Sequence, residues 1–226
     1  MRDLYVKQLQ LGPMENFVYL VGALDSRETA IIDAAWDVER ALQVAAGDGR
    51  AVTHALVSHW HADHTNGLVP LLEKQGVSIN CHKADIADLP QEVRGEVHGV
   101  EGGELIQVGP LGIRALHTPG HTPGSTTWHV EASAAGASDE PGAIFSGDTL
   151  FVNACGRCDL RGGDPALMFE SLRRLSALGD GVTLYPGHDY GGVPVSSIAR
   201  EKEKNPYFSR LGMLEQFVAL RMRPRA

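Results

Sequence analysis

The chain has 226 residues, 43% of them hydrophobic, and 20 Lys and Arg against 28 Asp and Glu, a formal charge of -8. That is apolar material for one sizeable core, expected as a single domain over residues 1–226, and the acidic balance without a basic run argues against nucleic acid and anionic membranes as partners. No apolar run approaches the ~18 residues of a bilayer span, Arg2, Asp3, Lys7 and Glu15 leave no signal-peptide core, and three Cys make no disulfide scaffold, so a reducing, cytoplasmic setting is expected.

In chain order, Leu4 to Leu11 alternates loosely and reads as an edge strand. Phe17 to Leu24 and Thr29 to Asp33 read as meander strands across the turn Asp25-Ser26-Arg27-Glu28. Val38, Leu42 and Val44-Ala45 suit a helix started near Asp37 and ended at Gly47. The apolar segment Ala55-Leu56-Val57 reads as a buried strand, and a helix capped by Thr65 or Asn66 is expected through Leu72 to Gln75. Val77 to Cys81 is a strand and Lys83 to Asp88 a short helical piece. Glu104 to Val108 and Gly112 to Leu116 form a hairpin across Gly109-Pro110, and Thr126 to Val130 is a strand. Residues 132–142, rich in Ala, Ser and Gly, read as a surface excursion. A helix from about Pro165 to Leu178 is patterned by Leu167, Met168, Leu172 and Leu175. Val195 to Lys204 and Leu211 to Met222 give two closing helices separated by Asn205-Pro206. Strands with interspersed helices, in two halves of similar order, suit an α/β (α+β) architecture of two packed sheets with helices outside.

Between the strand ending at Val57 and the following helix lies Ser58-His59-Trp60-His61-Ala62-Asp63-His64. Three imidazoles and a carboxylate within six residues are the N and O ligands of Zn2+ and non-haem iron. His59 and His61 can reach one ion, and the adjacent Asp63-His64 pair can point at a second. Six residues cannot close two sites, so distant partners are required. Three candidates stand after short apolar runs, each preceded by glycine: His121 in Thr118 to Gly124, Asp148 in Phe145 to Thr149, and His188 in Tyr185 to Tyr190. Taken singly, His121 and His188 read as hydrogen-bonded structural histidines and Asp148 as a turn residue. The cluster changes that weighing, because solvated loops rarely concentrate three His.

The pattern His59-x-His61-x-Asp63-His64, followed by His121, Asp148 and His188, resembles the metallo-β-lactamase superfamily. The segments Thr118 to Gly124, Ser146 to Phe151, Ala154-Cys155-Gly156-Arg157 and Pro186 to Tyr190 resemble its glyoxalase II branch, which also holds the persulfide dioxygenases. The resemblance implies a four-layer αββα sandwich of two mixed sheets. It implies two divalent ions, Zn2+ first among them, with His59, His61 and His121 on one, Asp63, His64 and His188 on the other, and Asp148 between. It further implies hydrolysis of a thioester, such as an acyl-glutathione, by a hydroxide held between the ions and oriented by Asp63. Arg157 and Tyr190 match substrate-contacting positions, so the expected partner is a small molecule, a glutathione conjugate among the candidates, with a second copy of the chain as a further candidate.

The rival reading within the same resemblance is a persulfide dioxygenase holding one Fe2+ on His59, His121 and Asp148, with the other four residues outside the first ring of ligands. Asp189 in place of a frequent Glu, and the 38 residues after His188, lean that way. A third reading is a non-catalytic metal-binding domain. Trp60 reads either as a pocket wall or as core. Cys155-Gly156-Arg157-Cys158 reads as a C-x-x-C in a loop, without the helix a redox pair opens. His54, His82, His98, His117 and His129 lack clustered partners and read as structural or surface residues.

Overall fold

A computed structural model describes residues 4–131 and 142–223. Most of the excursion expected at 132–142 therefore lies outside the described residues. The first sheet runs in the order β1 (Leu4–Leu11), β2 (Asn16–Ala23), β3 (Glu28–Ile32), β4 (Ala51–Leu56), β5 (Ser78–His82), β6 (Val97–Val100). It begins as an antiparallel meander and turns parallel from β3 onward. Helices α1 (Val38–Gly47), α2 (Ala62–Thr65) and α3 (Leu68–Lys74) make the crossovers.

The second sheet contains β7 (Leu105–Val108), β8 (Leu111–His117), β9 (Thr126–Val130), β10 (Ala143–Phe145), β13 (Thr183–Tyr185) and β14 (Ser196–Ser197). Only β10 and β13 pair parallel. A small hairpin, β11 (Leu150–Phe151) with β12 (Ala154–Cys155), stands apart from it. Helices α4 (Pro165–Ser176), α5 (Ile198–Lys204) and α6 (Leu214–Arg221) follow.

Alternation along each strand builds the layers. On β2, Phe17, Tyr19 and Val21 join Ile32, Leu56, Ile113, Trp128 and Phe145 between the sheets. Their neighbours Val18 and Leu20 face outward and pack with Ile31, Val38, Ala41, Leu68 and Leu71 under the first helical layer. On the far side, Ile144 and Leu184 pack with Met168, Leu172, Leu175, Ile198 and Phe217. Successive side chains on a strand point to opposite faces, so a strand covered on both sides is apolar at consecutive positions, as β2 is after Asn16. The result is the expected αββα sandwich of two mixed sheets.

The helix starts follow capping chemistry. The Asp37 carboxylate accepts from the Arg40 amide, and Asp164 accepts from the amides of Ala166 and Leu167 with Pro165 at the first helical position. Several expected boundaries move. Neither Thr65 nor Asn66 caps the helix after the histidine cluster: His61 and Gly67 stand at the starts of α2 and α3, and the Asn66 amide oxygen instead accepts from the Trp36 backbone. Leu24 lies beyond β2 and is exposed, and Leu167 faces solvent rather than the core. The closing segment begins with strand β14, and a short 3-10 turn at Phe208–Arg210 precedes α6.

Candidate metal centre

All seven expected side chains converge at the ends of β4, β8, β10 and β13. His59 follows β4, His61 stands at the start of α2, and Asp63 and His64 occupy that helix's single turn. His121 sits in the loop after β8, Asp148 in the turn after β10, and His188 three residues past β13. Gly120 and Gly147 make two of these approaches feasible. Both have positive φ, +138° and +48°, and a Cβ on either would collide, with Met168 in the first case and Ser58 in the second. Donor atoms fall into three groups, each within 4.8 Å: His59, His61 and His121; His59, His64 and Asp148; and Asp63, His64 and His188.

Asp148 lies between the sets. Its Oδ1 is 3.4 Å from the Nε2 atoms of both His64 and His188, and its Oδ2 is 3.5 Å from His121 Nε2. Asp63 Oδ2 is 3.4 Å from the same two nitrogens of His64 and His188.

Hydrogen bonds on the outer side of each ring fix the tautomers. His121 Nδ1–H donates to the Arg157 carbonyl at 2.8 Å, and His188 Nδ1–H to the Met14 carbonyl at 2.8 Å. His64 Nδ1–H donates to Asp33 Oδ2 at 2.9 Å. The Ser58 hydroxyl proton is committed to Asp33, so that oxygen accepts from His59 Nδ1–H. In its neutral form every one of these four rings therefore turns an Nε2 lone pair inward. His64 Nε2 faces His188 Nε2 at 3.0 Å, His121 Nε2 faces His61 Nδ1 at 2.9 Å, and His59 Nε2 is buried without a partner. Lone pairs so opposed repel unless a cation lies among them. The donor set, nitrogen and carboxylate oxygen only, suits a borderline divalent ion.

The electrostatics agree. Burial and the surrounding imidazoles push His59 well below its usual pKa and His61 down to about 4, so both are neutral and ready to ligate near pH 7. Burial would raise Asp63 and Asp148, but the facing imidazoles overcome it and hold both carboxyls well below the carboxylate range. His64 is opposite in sense. Burial would lower it, yet Asp148 and Asp33 raise it well above its usual value, marking the spot where positive charge is most wanted.

Three further residues build the centre without having stood out in the sequence. Asp33, at φ +54° just past β3, accepts from the Ser58 amide, the Ser58 hydroxyl and His64. Asn16 donates to the Asp63 carbonyl and carboxylate and is itself held by the Trp36 indole N–H. Buried Asp85 accepts from the Trp60 and Gly124 amides and the Thr122 hydroxyl, tying the loop of His59 to the loop of His121. The available signal for Asp33 was its place directly after the apolar run Ala30 to Ile32, the context that marked His59.

A cavity of about 840 Å³ opens over the metal groups. Arg157 and Tyr190 both line it. Arg157 also pairs bidentately with Asp159, and the exposed Tyr190 ring stacks on His188 at 4.5 Å. Trp60 lines it as well and is half-buried rather than core. Cys155 and Cys158 are buried, and desolvation raises both thiols, which suits packing rather than redox exchange. His82 and His117, from different sheets, stack on each other at 3.9 Å away from the centre. No helix among the described residues is long and apolar enough to cross a membrane.

Two mixed sheets flanked by helices, with histidines and aspartates gathered at one edge, define the class of metal-binding αββα sandwiches. The sequence profile of the metallo-beta-lactamase superfamily matches residues 11–188, and the chain belongs to that superfamily. It is similar to the hydroxyacylglutathione hydrolase of Brucella ovis, 36% identical over 178 residues, which are 78% of this chain and 63% of that protein. The chain thus spans under two thirds of the curated relatives it matches. Among solved structures it is similar to ETHE1 from Myxococcus xanthus, with a TM-score of 0.81, 31% identity, and coverage of 98% of this chain and 92% of that one. It is also similar to TTHA1623 in a di-iron-bound form, with a TM-score of 0.72, 27% identity, and coverage of 89% and 100%.

Proposed function

We propose that this chain, acting as one metallo-β-lactamase-like domain, is a metal-dependent hydrolase of thioesters and uses two divalent ions, Zn2+ first among them. The observation that carries the reading is the inward donor atoms, which fall into three overlapping groups, with the two Asp148 oxygens facing His64 and His121. His59, His61 and His121 would hold one ion, Asp63, His64 and His188 the other, and Asp148 would serve both. Two such ions would supply a water-derived nucleophile at neutral pH and would polarise a carbonyl. Asp63, fixed by Asn16, orients the attacking water. The walls of Trp60, Phe151 and Tyr190 displace bulk solvent from the reacting carbon.

The cavity's charge speaks to the substrate. Besides Asp63 and Asp148 its ionised side chains are Arg157, Arg221 and Arg223. Arg221 is only 8% exposed and donates to the Cys155 carbonyl and the Tyr207 hydroxyl. Its Nε is buried without a partner, and no carboxylate pairs with it among the described residues. A buried guanidinium lacking an acid is costly, so an anionic carrier such as glutathione suits this wall. Arg221→Met should raise KM for an acyl-glutathione about tenfold or more and leave kcat within a few-fold, measured by steady-state kinetics.

Metal content of protein purified without chelators tests the central reading. About two Zn per chain with hydrolysis of S-acylglutathione is the expected result. The closeness of His121 and Asp148, with the His59 ring 4.8 Å from that of His121, also suits the single-Fe2+ persulfide dioxygenase. About one Fe per chain with O2 uptake on glutathione persulfide would replace the hydrolase with it. Bound metal with neither turnover would leave a non-catalytic binding domain.

A further inference from the structure

Resting on the two-ion reading above, we infer that Asp85 is a positioning residue for one ion alone, the one assigned to His59, His61 and His121. The two ions then depend on separate buried aspartates, Asp85 behind the first and Asp33 behind the second.

Asp85 stands three residues past β5 and is fully buried. Among the described residues no cation pairs with it, and its carboxylate is held by neutral donors from two loops. Oδ2 accepts from the Trp60 amide at 3.2 Å and the Thr122 hydroxyl at 2.7 Å, and Oδ1 accepts from the Gly124 amide at 2.6 Å. Trp60 lies between His59 and His61, and Thr122 follows His121. One carboxylate thus joins the two loops that carry all three ligands of the first group. Burying a charge with neutral partners is costly, and these donors offset the cost only while both loops stay in place. The second group is held elsewhere, His64 by Asp33 and His188 by the Met14 carbonyl.

His61 depends most on this joint. The rings of His59, His64, His121 and His188 are each aimed by a hydrogen bond at Nδ1. His61 instead turns its Nδ1 toward His121, and no hydrogen bond to its Nε2 is present among the described residues. Its place is set by the backbone it shares with Trp60 and by the Trp60 indole, which meets it edge-on at 4.4 Å. That indole is braced from the same stretch of chain. The Arg161 guanidinium lies 4.4 Å from the ring centre and binds Asp88, which ends the 3-10 turn that Asp85 opens.

An asparagine at this position keeps one oxygen and turns an NH₂ toward the other set of donors. With the NH₂ at Oδ1 it opposes the Gly124 N–H and loosens the loop of His121. With the NH₂ at Oδ2 it opposes the Trp60 N–H and loosens the loop of His59 and His61. The Thr122 hydroxyl can turn to accept, but neither amide can. Either orientation weakens the same ion, and support of this kind behind metal ligands is worth about 10- to 100-fold in affinity.

The test titrates Zn2+ into the metal-free full chain against a chromophoric chelator, with imidazole 15N–1H spectra to show which rings respond. Asp85→Asn should lose about 10- to 100-fold at one ion and keep the other within a few-fold. Its first equivalent of Zn2+ should shift His64 and His188 before His61 and His121. Thr122→Val, which keeps both amide bonds, should show a smaller loss at the same ion, and it carries the test if Asp85→Asn does not fold. A residue that only supports the fold would lower both affinities together. Equal losses at the two ions, a loss confined to His64 and His188, or no loss overturns the inference. A native chain that takes up a single ion removes the two-ion reading; Asp85 then stands if its replacement weakens that ion and falls if the affinity is unchanged. Separate affinities as expected, without hydrolysis of any thioester, remove only the hydrolase reading.

Discussion

Asp148→Asn should leave the protein folded and lower its thioester kcat by on the order of 10³-fold or more, with metal content falling to one ion per chain or fewer. The size follows from position. Asp148 faces both sets with its two oxygens, Oδ1 toward His64 and His188 and Oδ2 toward His121. Its side chain is 12% exposed, so water does little to screen the charge it carries. An asparagine of the same shape keeps one oxygen but puts an amide N–H₂ where an inward lone pair must be faced by metal. Losing one ion of a binuclear pair removes several kcal/mol of charge stabilisation, and ~4 kcal/mol corresponds to ~10³ in rate. Elemental analysis and kinetics on the same preparation check it. A variant with two ions per chain and near-normal kcat would show that Asp148 is not the shared residue.

Much of the centre was legible because its chemistry is concentrated. Three histidines in six residues are rare in a solvated loop, and His121, Asp148 and His188 each follow a short apolar run and a glycine. The fold was legible where burial is complete: β2 is free of charged residues and apolar in nearly all its positions after Asn16 because one face meets the second sheet and the other meets α1. It was illegible where a strand is short or lies at an edge. Val97-His98-Gly99-Val100 pairs with β5, yet two of its four residues are exposed and no pattern shows. The hairpin of β11 and β12 is two residues a side, below any period, and is held by the buried Glu201 and Asn205 of the closing segment. Arg221 could not be found for a related reason. It lies on α6, and its reach into the cavity depends on how that helix packs on α4. Asn16, Asp33 and Asp85 are single polar residues whose work is done through others, and nothing in their type separates them from turn formers.

Asp33→Asn should cost the second ion, Asp63-His64-His188, about 10- to 100-fold in affinity, with little change in overall structure. Asparagine tolerates the left-handed φ of +54° as aspartate does, so the change isolates the carboxylate from the backbone. In the native arrangement both Asp33 oxygens accept: Oδ1 from the Ser58 amide at 2.7 Å, and Oδ2 from the Ser58 hydroxyl at 2.7 Å and His64 Nδ1–H at 2.9 Å. An amide has one oxygen and one NH₂, so in either orientation a donor faces a donor. If the NH₂ meets the Ser58 amide, two buried N–H groups oppose each other at a cost of about 1–3 kcal/mol. If it meets His64, that ring relieves the clash by moving its proton from Nδ1 to Nε2. The proton then occupies the lone pair that would bind the ion. The Ser58 hydroxyl turns with it and weakens its hold on His59 Nδ1–H, so the first site suffers as well, to a smaller degree. Competition with a chromophoric chelator measures the affinities, and the imidazole 15N–1H spectrum of the metal-free protein reports the tautomer of His64. Excess metal should restore most of the activity in Asp33→Asn and little of it in Asp148→Asn, because the first variant keeps every ligand and only turns one of them the wrong way. Two unaltered affinities with His64 still protonated on Nδ1 would mean that Asp33 merely fills space behind the centre.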